Sequence, residues 1–277
     1  MKTLSSFIKK PAFLVLMALS VMIVSCSSED SGPDWQLVWS DEFEGVEGSS
    51  LDASKWNFEI GTGNNGWGNQ ELQYYTDRTE NAALDGEGNL VITARKESFN
   101  GSSYTSARIT TQAKLEQTYG RIETRLKTPF GPGIWPAFWM LGTSNEGEVW
   151  PQIGEIDIME LRGQEPTVVA STVHGPGYSA GNGITKNLTL TDSRFDTEFH
   201  IFAAEWFTNK IDFYVDGRLY HTIKKEDIEN AGNEWVYNHP FFLILNVAVG
   251  GTYVGSPNQS TRFPQTMTID YVRVYSE

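Results

Sequence analysis

Hydrophobic and polar positions alternate along most of this chain in short runs, and helical periodicity is nearly absent. Runs at 90–94, Gly120–Lys127, Val168–His174, His200–Trp206, Lys210–Val215, Phe241–Val249 and 267–275 are separated by clusters of Gly, Asn, Asp and Pro. That is the pattern of strands joined by tight turns. Residues 211–220 read as a hairpin, because Asp216-Gly217 suits the two positive-φ positions of a primed two-residue turn. The best helical stretch, 224–231, predicts only a short helix. Many short strands of this kind build an all-β fold, an antiparallel sandwich or jelly roll. Several runs are apolar at one parity and carry Trp, Asn, Glu or Arg at the other. One curved sheet is therefore expected to face the core on one side and line a cleft on the other.

The N-terminus is different. Lys2, Lys9 and Lys10 precede an apolar run at 11–24, too short to span a bilayer comfortably and flanked like a signal peptide. It ends in Ile23-Val24-Ser25-Cys26, which resembles a bacterial lipobox, and Cys26 is the only cysteine. No disulfide framework follows from one cysteine. Residues 1–25 are read as a lipoprotein signal peptide, 26–34 as an acidic polar tether and 35–277 as a single catalytic domain. A lipid on Cys26 would hold the protein to the membrane, giving an outer-membrane, cell-surface lipoprotein of a Gram-negative bacterium. The alternative is an ordinary signal peptide with an incidental cysteine.

Losing Lys2, Lys9 and Lys10 with the leader takes the net charge from −14 to −17. Such a chain repels nucleic acid and anionic surfaces, and a neutral ligand fits it best. Aromatic residues make up 13% of the chain, more than the core needs, so some are expected to face a ligand. Two motif matches fail on context. Gly61 to Gly66 fits GxGxxG without a following helix, and Gly177 to Gly181 fits a nucleophile elbow outside any strand–turn–helix.

The informative stretch runs from Trp150 to Leu161. In a strand, Glu155 and Asp157 share a face and Ile156 and Ile158 point the other way. Strict alternation would turn Glu160 to the apolar side; one extra residue, a β-bulge at Ile158-Met159, returns it to the side of Glu155 and Asp157. Close carboxylates cannot all ionise readily, so a proton is retained among them. Retaining glycoside hydrolysis needs such a pair, an ionised nucleophile and a protonated acid about 5–5.5 Å apart. Glu155 is assigned as nucleophile, Glu160 as acid/base, and Asp157 as the group that biases their protonation. A solvated acidic face or a cation site would carry the same letters. The flanking Trp135, Trp139 and Trp150 favour a glycan cleft, because sugar rings stack their C–H faces on flat aromatic surfaces.

These segments, with Trp39 to Phe43, Gly66 to Tyr75, Trp135 to Leu141 and Asn246 to Gly251, resemble the laminarinase-like branch of glycoside hydrolase family 16 across nearly all of 35–277. The bulged motif with Met159 looks like laminarinases rather than unbulged lichenases. The resemblance implies a β-jelly roll and retaining endo-hydrolysis of a neutral β-glucan, β-1,3 or mixed β-1,3/1,4. It also implies substrate contacts from Asn69, Glu71, Arg108, Trp135, Trp139, Trp150 and His174. For Asn69, Glu71 and Arg108 a structural role stands beside that one. Catalysis needs no cofactor on this reading; a structural calcium held by Glu42, the Gly88 carbonyl and Asp270 is implied, with ordinary surface acids as the alternative. A monomer is expected. A non-catalytic glycan-binding lipoprotein and a transglycosylase on the same fold are the competing functions. A binder has no use for three aligned carboxylates.

Overall fold

The computed structural model describes residues 32–144 and 147–277. Cys26 and residues 1–25 lie outside the described residues. Two sheets account for most of the rest. One has seven strands in the order Ile184–Thr189, Val168–His174, Glu155–Leu161, Ile134–Gly142, Phe241–Val249, Arg108–Thr110 and Asn57–Phe58, every pair antiparallel. The other has ten strands, with Gly120–Lys127 and Gln265–Ser276 at its centre. Only Gln73–Tyr75 and Ser102–Ser106 pair in parallel among the described strands. This is the expected jelly-roll sandwich. The hairpin at Asp216-Gly217 forms, and the short helix spans Lys225–Asn230.

Period-two alternation explains how the seven-stranded sheet serves two surroundings. On Ile134–Gly142, the side chains of Ile134, Phe138 and Met140 are fully buried in the apolar core. Trp135, Ala137, Trp139 and Leu141, at the opposite parity, line an open cleft. On Val168–His174, Val169 and Val173 join the core while Ala170, Thr172 and His174 face the cleft. Burying one such large apolar side chain stabilises the fold by about 1.5–3 kcal/mol. Phe241–Val249 is buried along its whole length, and its one polar residue, Asn246, is bonded on the cleft side.

Candidate active site

Glu155–Leu161 is an interior strand of the seven-stranded sheet, and its register contains the expected bulge. Asp157 pairs with Trp139 on one side, yet Met159 pairs with Phe138, leaving Ile158 as the extra residue. On the other side Asp157 pairs with Thr172 and Glu160 with Ala170. Ile158 and Met159 are both buried in the core, at 1% and 0% exposure. Glu155, Asp157 and Glu160 all line the cleft. Gly154, at φ 68°, turns the chain into this strand, and a side chain there would press on Phe241 and Val236. Both cross-strand neighbours of Glu160 are alanines, Ala137 and Ala170, which leaves room above its carboxyl group.

The surroundings of the three acids differ. Trp135 donates its indole N–H to Glu160 Oε1 at 3.0 Å. His174 Nε2 lies 3.3 Å from Asp157 Oδ2 and 3.7 Å from Glu155 Oε1. The His174 ring is backed closely by Gly183, where an added Cβ would meet Cε1 at 2.3 Å and Thr172 Cγ2 at 2.8 Å, so a larger residue there would push the ring or Thr172 out of place. Burial raises the pKa of all three carboxyls. Glu155 is pushed well up by burial and then by the Asp157 charge, and Asp157 by burial and then by Glu160. Glu160 is also raised by burial, against the pull of His174 and the Trp135 hydrogen bond. Each acid of the cluster is thus held to its proton more tightly than a free carboxyl would be.

All the residues expected to contact substrate line this cleft, which encloses about 1090 Å³. Asn69 donates to Glu71 Oε1 at 3.2 Å, and Gln73 and Tyr75 donate to Glu71 Oε2 at 2.6 and 3.2 Å. Burial raises the Glu71 pKa. The Arg108 guanidinium lies between the faces of Trp67 and Trp139, 4.5 and 4.8 Å from their centroids, and pairs with Glu59. Trp139 donates to Asn246 Oδ1 at 2.8 Å, and Asn246 Nδ2 donates to the Tyr75 hydroxyl at 3.2 Å. Asn69, Glu71 and Arg108 thus have structural partners and a cleft surface at once. Trp150 is 40% exposed, its ring 6.1 Å from that of His174.

Trp67, Asn246, Arg162 and Tyr253 also line the cleft but were not singled out as site residues from sequence. Asn246 was detectable, as a lone polar residue inside an otherwise apolar buried strand. After Gly61 to Gly66 comes a short helical turn, Gly66–Gln70, whose Trp67 and Gly68 have positive φ; it offers no regular helix N-terminus. The calcium candidates lie away from the cleft. The Glu42 carboxylate accepts two hydrogen bonds from Arg273, at 2.8 and 3.0 Å, and Asp270 pairs with Arg125. A Cβ on Gly88 would stand 4.0 Å from the Glu42 carbonyl oxygen and 3.6 Å from Glu44 Oε1. The donors are oxygens, as calcium prefers, but a cation there would compete with two arginines.

The model of glycosyl hydrolases family 16 matches residues 67–273, which include the cleft-lining strand with Glu155, Asp157 and Glu160. The chain belongs to this family. It is 41% identical to a β-glucanase of Rhodothermus marinus over 279 residues, covering 98% of this chain and 96% of that protein. Among solved structures, the laminarinase catalytic domain of Thermotoga maritima is 53% identical with a TM-score of 0.83, covering 88% of this chain and 99% of that one. An endo-β-1,3-glucanase of Pyrococcus furiosus is 48% identical with a TM-score of 0.82, over 87% of this chain and 94% of that one. This family 16 chain is a glycosidase, and relatives named as β-glucanases and endo-β-1,3-glucanases are among its matches.

Proposed function

We propose that this family 16 glycosidase is a retaining endo-β-glucanase whose main substrate is a laminarin-type β-1,3-glucan, with mixed-linkage β-1,3/1,4-glucan second. The observation that carries the reading is the row of Glu155, Asp157 and Glu160 on one face of one strand, inside an open aromatic cleft. Named laminarinases and endo-β-1,3-glucanases among the relatives support the linkage.

In the mechanism, Glu155 attacks the anomeric carbon while Glu160 protonates the departing glycosidic oxygen. Trp135 donates to Glu160 Oε1, so the transferable proton resides on Oε2. Asp157, 3% exposed, is pushed well up by burial and then by the Glu160 charge, so it competes for a proton and biases which of the two glutamates holds one. A glycosyl-enzyme forms on Glu155. Water, deprotonated by Glu160, then releases the sugar with its β-configuration. Trp139 and Trp150 offer faces for sugar rings beside the acids.

Anchoring through Cys26 and calcium at Glu42, Gly88 and Asp270 belong to the same proposal; the lipobox supports the first and the family resemblance the second. Neither enters a catalytic step. Incubation with laminarin, barley β-glucan, cellulose and agarose, with the first-formed anomer read by NMR, tests the function. Laminarin should be cleaved internally and best, giving the β-anomer first. Release of the α-anomer would overturn retention, and no cleavage of laminarin or barley glucan would overturn the substrate class.

A further inference from the structure

Beyond Glu160 the strand ends at Leu161, and Arg162 follows on the same face as Glu160, two residues on. In extended chain that spacing is about 6.5–7 Å. Its backbone is held by the next residue: Gly163 N–H donates to the Ile134 carbonyl at 2.8 Å, and the Gly163 carbonyl accepts from Gly131 N–H at 2.7 Å. The Arg162 guanidinium lies 4.3 Å from the centroid of the Tyr253 ring. Tyr253 in turn packs on Trp135 at 4.9 Å, and Trp135 donates to Glu160. The contacts run as a chain from Arg162 through Tyr253 and Trp135 to Glu160 at that end of the cleft.

Arg162 has a buried Nε with no hydrogen-bond partner, and no carboxylate lies within 4.0 Å of it among the described residues. A partly buried guanidinium without a counter-ion is costly unless nearby negative charge compensates it. The cleft supplies that charge in its acids. Stacked on Tyr253, the cation stands off from Glu160 instead of forming a direct ion pair. A direct pair would strip the proton that Glu160 must deliver; a stand-off charge lowers its affinity for that proton without occupying either oxygen.

We propose that Arg162, held on Tyr253, is a positioning residue that tunes the acid strength of Glu160. This rests on Glu160 being the acid/base of the proposed function. Other groups face Glu160 as well: Asp157 and Glu155 from its own strand, Thr172 and His174 from the next, and Trp135 from the strand on the other side. The Tyr220 hydroxyl feels the Glu160 charge from the opposite sheet, and the Tyr253 hydroxyl feels it from the loop after Phe241–Val249. His174 and Arg162 both draw Glu160 down against its burial, and a guanidinium is the more permanent charge of the two side-chain types.

The test is the pH dependence of kcat/KM on laminarin for the full-length parent and for Arg162→Met, Arg162→Gln and Arg162→Lys, with thermal melts alongside. The alkaline limb reports loss of the Glu160 proton. It should move up by about one pH unit in the Met and Gln variants and stay near the parent in the Lys variant. An aryl glycoside whose leaving group needs no proton should show no such movement. An alkaline limb unmoved in the Gln variant, or moved equally in the Lys variant, overturns the role of Arg162. If Arg162→Met does not fold, the Gln and Lys pair still decides. A parent that cleaves no β-glucan overturns the function itself, and that result is separate from a parent whose limb ignores residue 162.

Discussion

Converting Glu155 to glutamine keeps the side chain's size and polarity but removes one of three ionisable groups crowded on a buried strand. Burial raises the pKa of each, and for Glu155 the Asp157 charge adds to it. A carboxyl whose pKa is raised by folding binds more proton in the folded than in the unfolded chain. Its contribution is therefore fully present below the unfolded pKa and is lost as pH rises towards the folded one. At neutral pH the fold bears the cost of holding Glu155 near other acids, and glutamine relieves it. Relief of this kind commonly amounts to about 1 kcal/mol. For a domain of this size that is about 2–4 °C in melting temperature. Thermal melts of parent and Glu155→Gln from pH 4 to pH 8 should show a gain that is near zero around pH 4 and grows towards neutrality. Hydrolysis should be abolished throughout. A gain as large at pH 4 as at pH 7, or a less stable variant at pH 7, would refute the argument that this acid is held against its preference.

The remaining predictions concern chemistry and anchoring. Both Glu155→Ala and Glu160→Ala should abolish glucan hydrolysis, but with azide and an activated glycoside the first should give the α-glycosyl azide and the second the β-anomer; swapped anomers in NMR spectra would reverse the roles. Trp135→Phe keeps the ring and removes the 3.0 Å donor to Glu160. A hydrogen bond to a charged group contributes about 1.5 kcal/mol or more, so kcat/KM should fall about tenfold, and an unchanged value would show the contact idle. Cys26→Ala should move the protein from the membrane fraction to the soluble one; identical fractionation would remove the lipid anchor.

The fold and the chemistry of the site were legible in sequence for different reasons. Strands show because a side-chain period of two must match the two faces of a sheet, and 168–174 displays it with Val169 and Val173 in the core against Thr172 and His174 on the cleft. The bulge was legible because Glu160 breaks that period while Ile158 and Met159 are both apolar. Strand register alone then decides which residue is extra, and it is Ile158 against Trp139 and Phe138. Arg162 and Tyr253 were not legible. Ninety residues of chain separate them, and the stacking of one on the other depends on where the 251–255 turn returns to the cleft. Trp67 escaped for a related reason. Its place over Arg108 depends on a positive φ of 55°, a backbone state that the letters around it do not announce for a tryptophan.

The bulge does more than correct a parity. A regular strand alternates one core residue with one cleft residue, so each carboxyl on the outer face is matched by a single apolar neighbour inside. Between Asp157 and Glu160 the ratio changes: two consecutive side chains, Ile158 and Met159, enter the core at 1% and 0% exposure. Each such burial stabilises the fold by about 1.5–3 kcal/mol. The extra apolar anchor sits directly beneath the acids whose burial opposes folding. It also separates Glu160 from Asp157 by one more residue and places it between Ala137 and Ala170, the two small neighbours that leave its carboxyl approachable. Packing, charge and access at this site are thus set together by one inserted residue. Substitutions that make the outer face less acidic should consequently leave the strand intact and more stable, whereas loss of the apolar pair beneath it should loosen acids and core together.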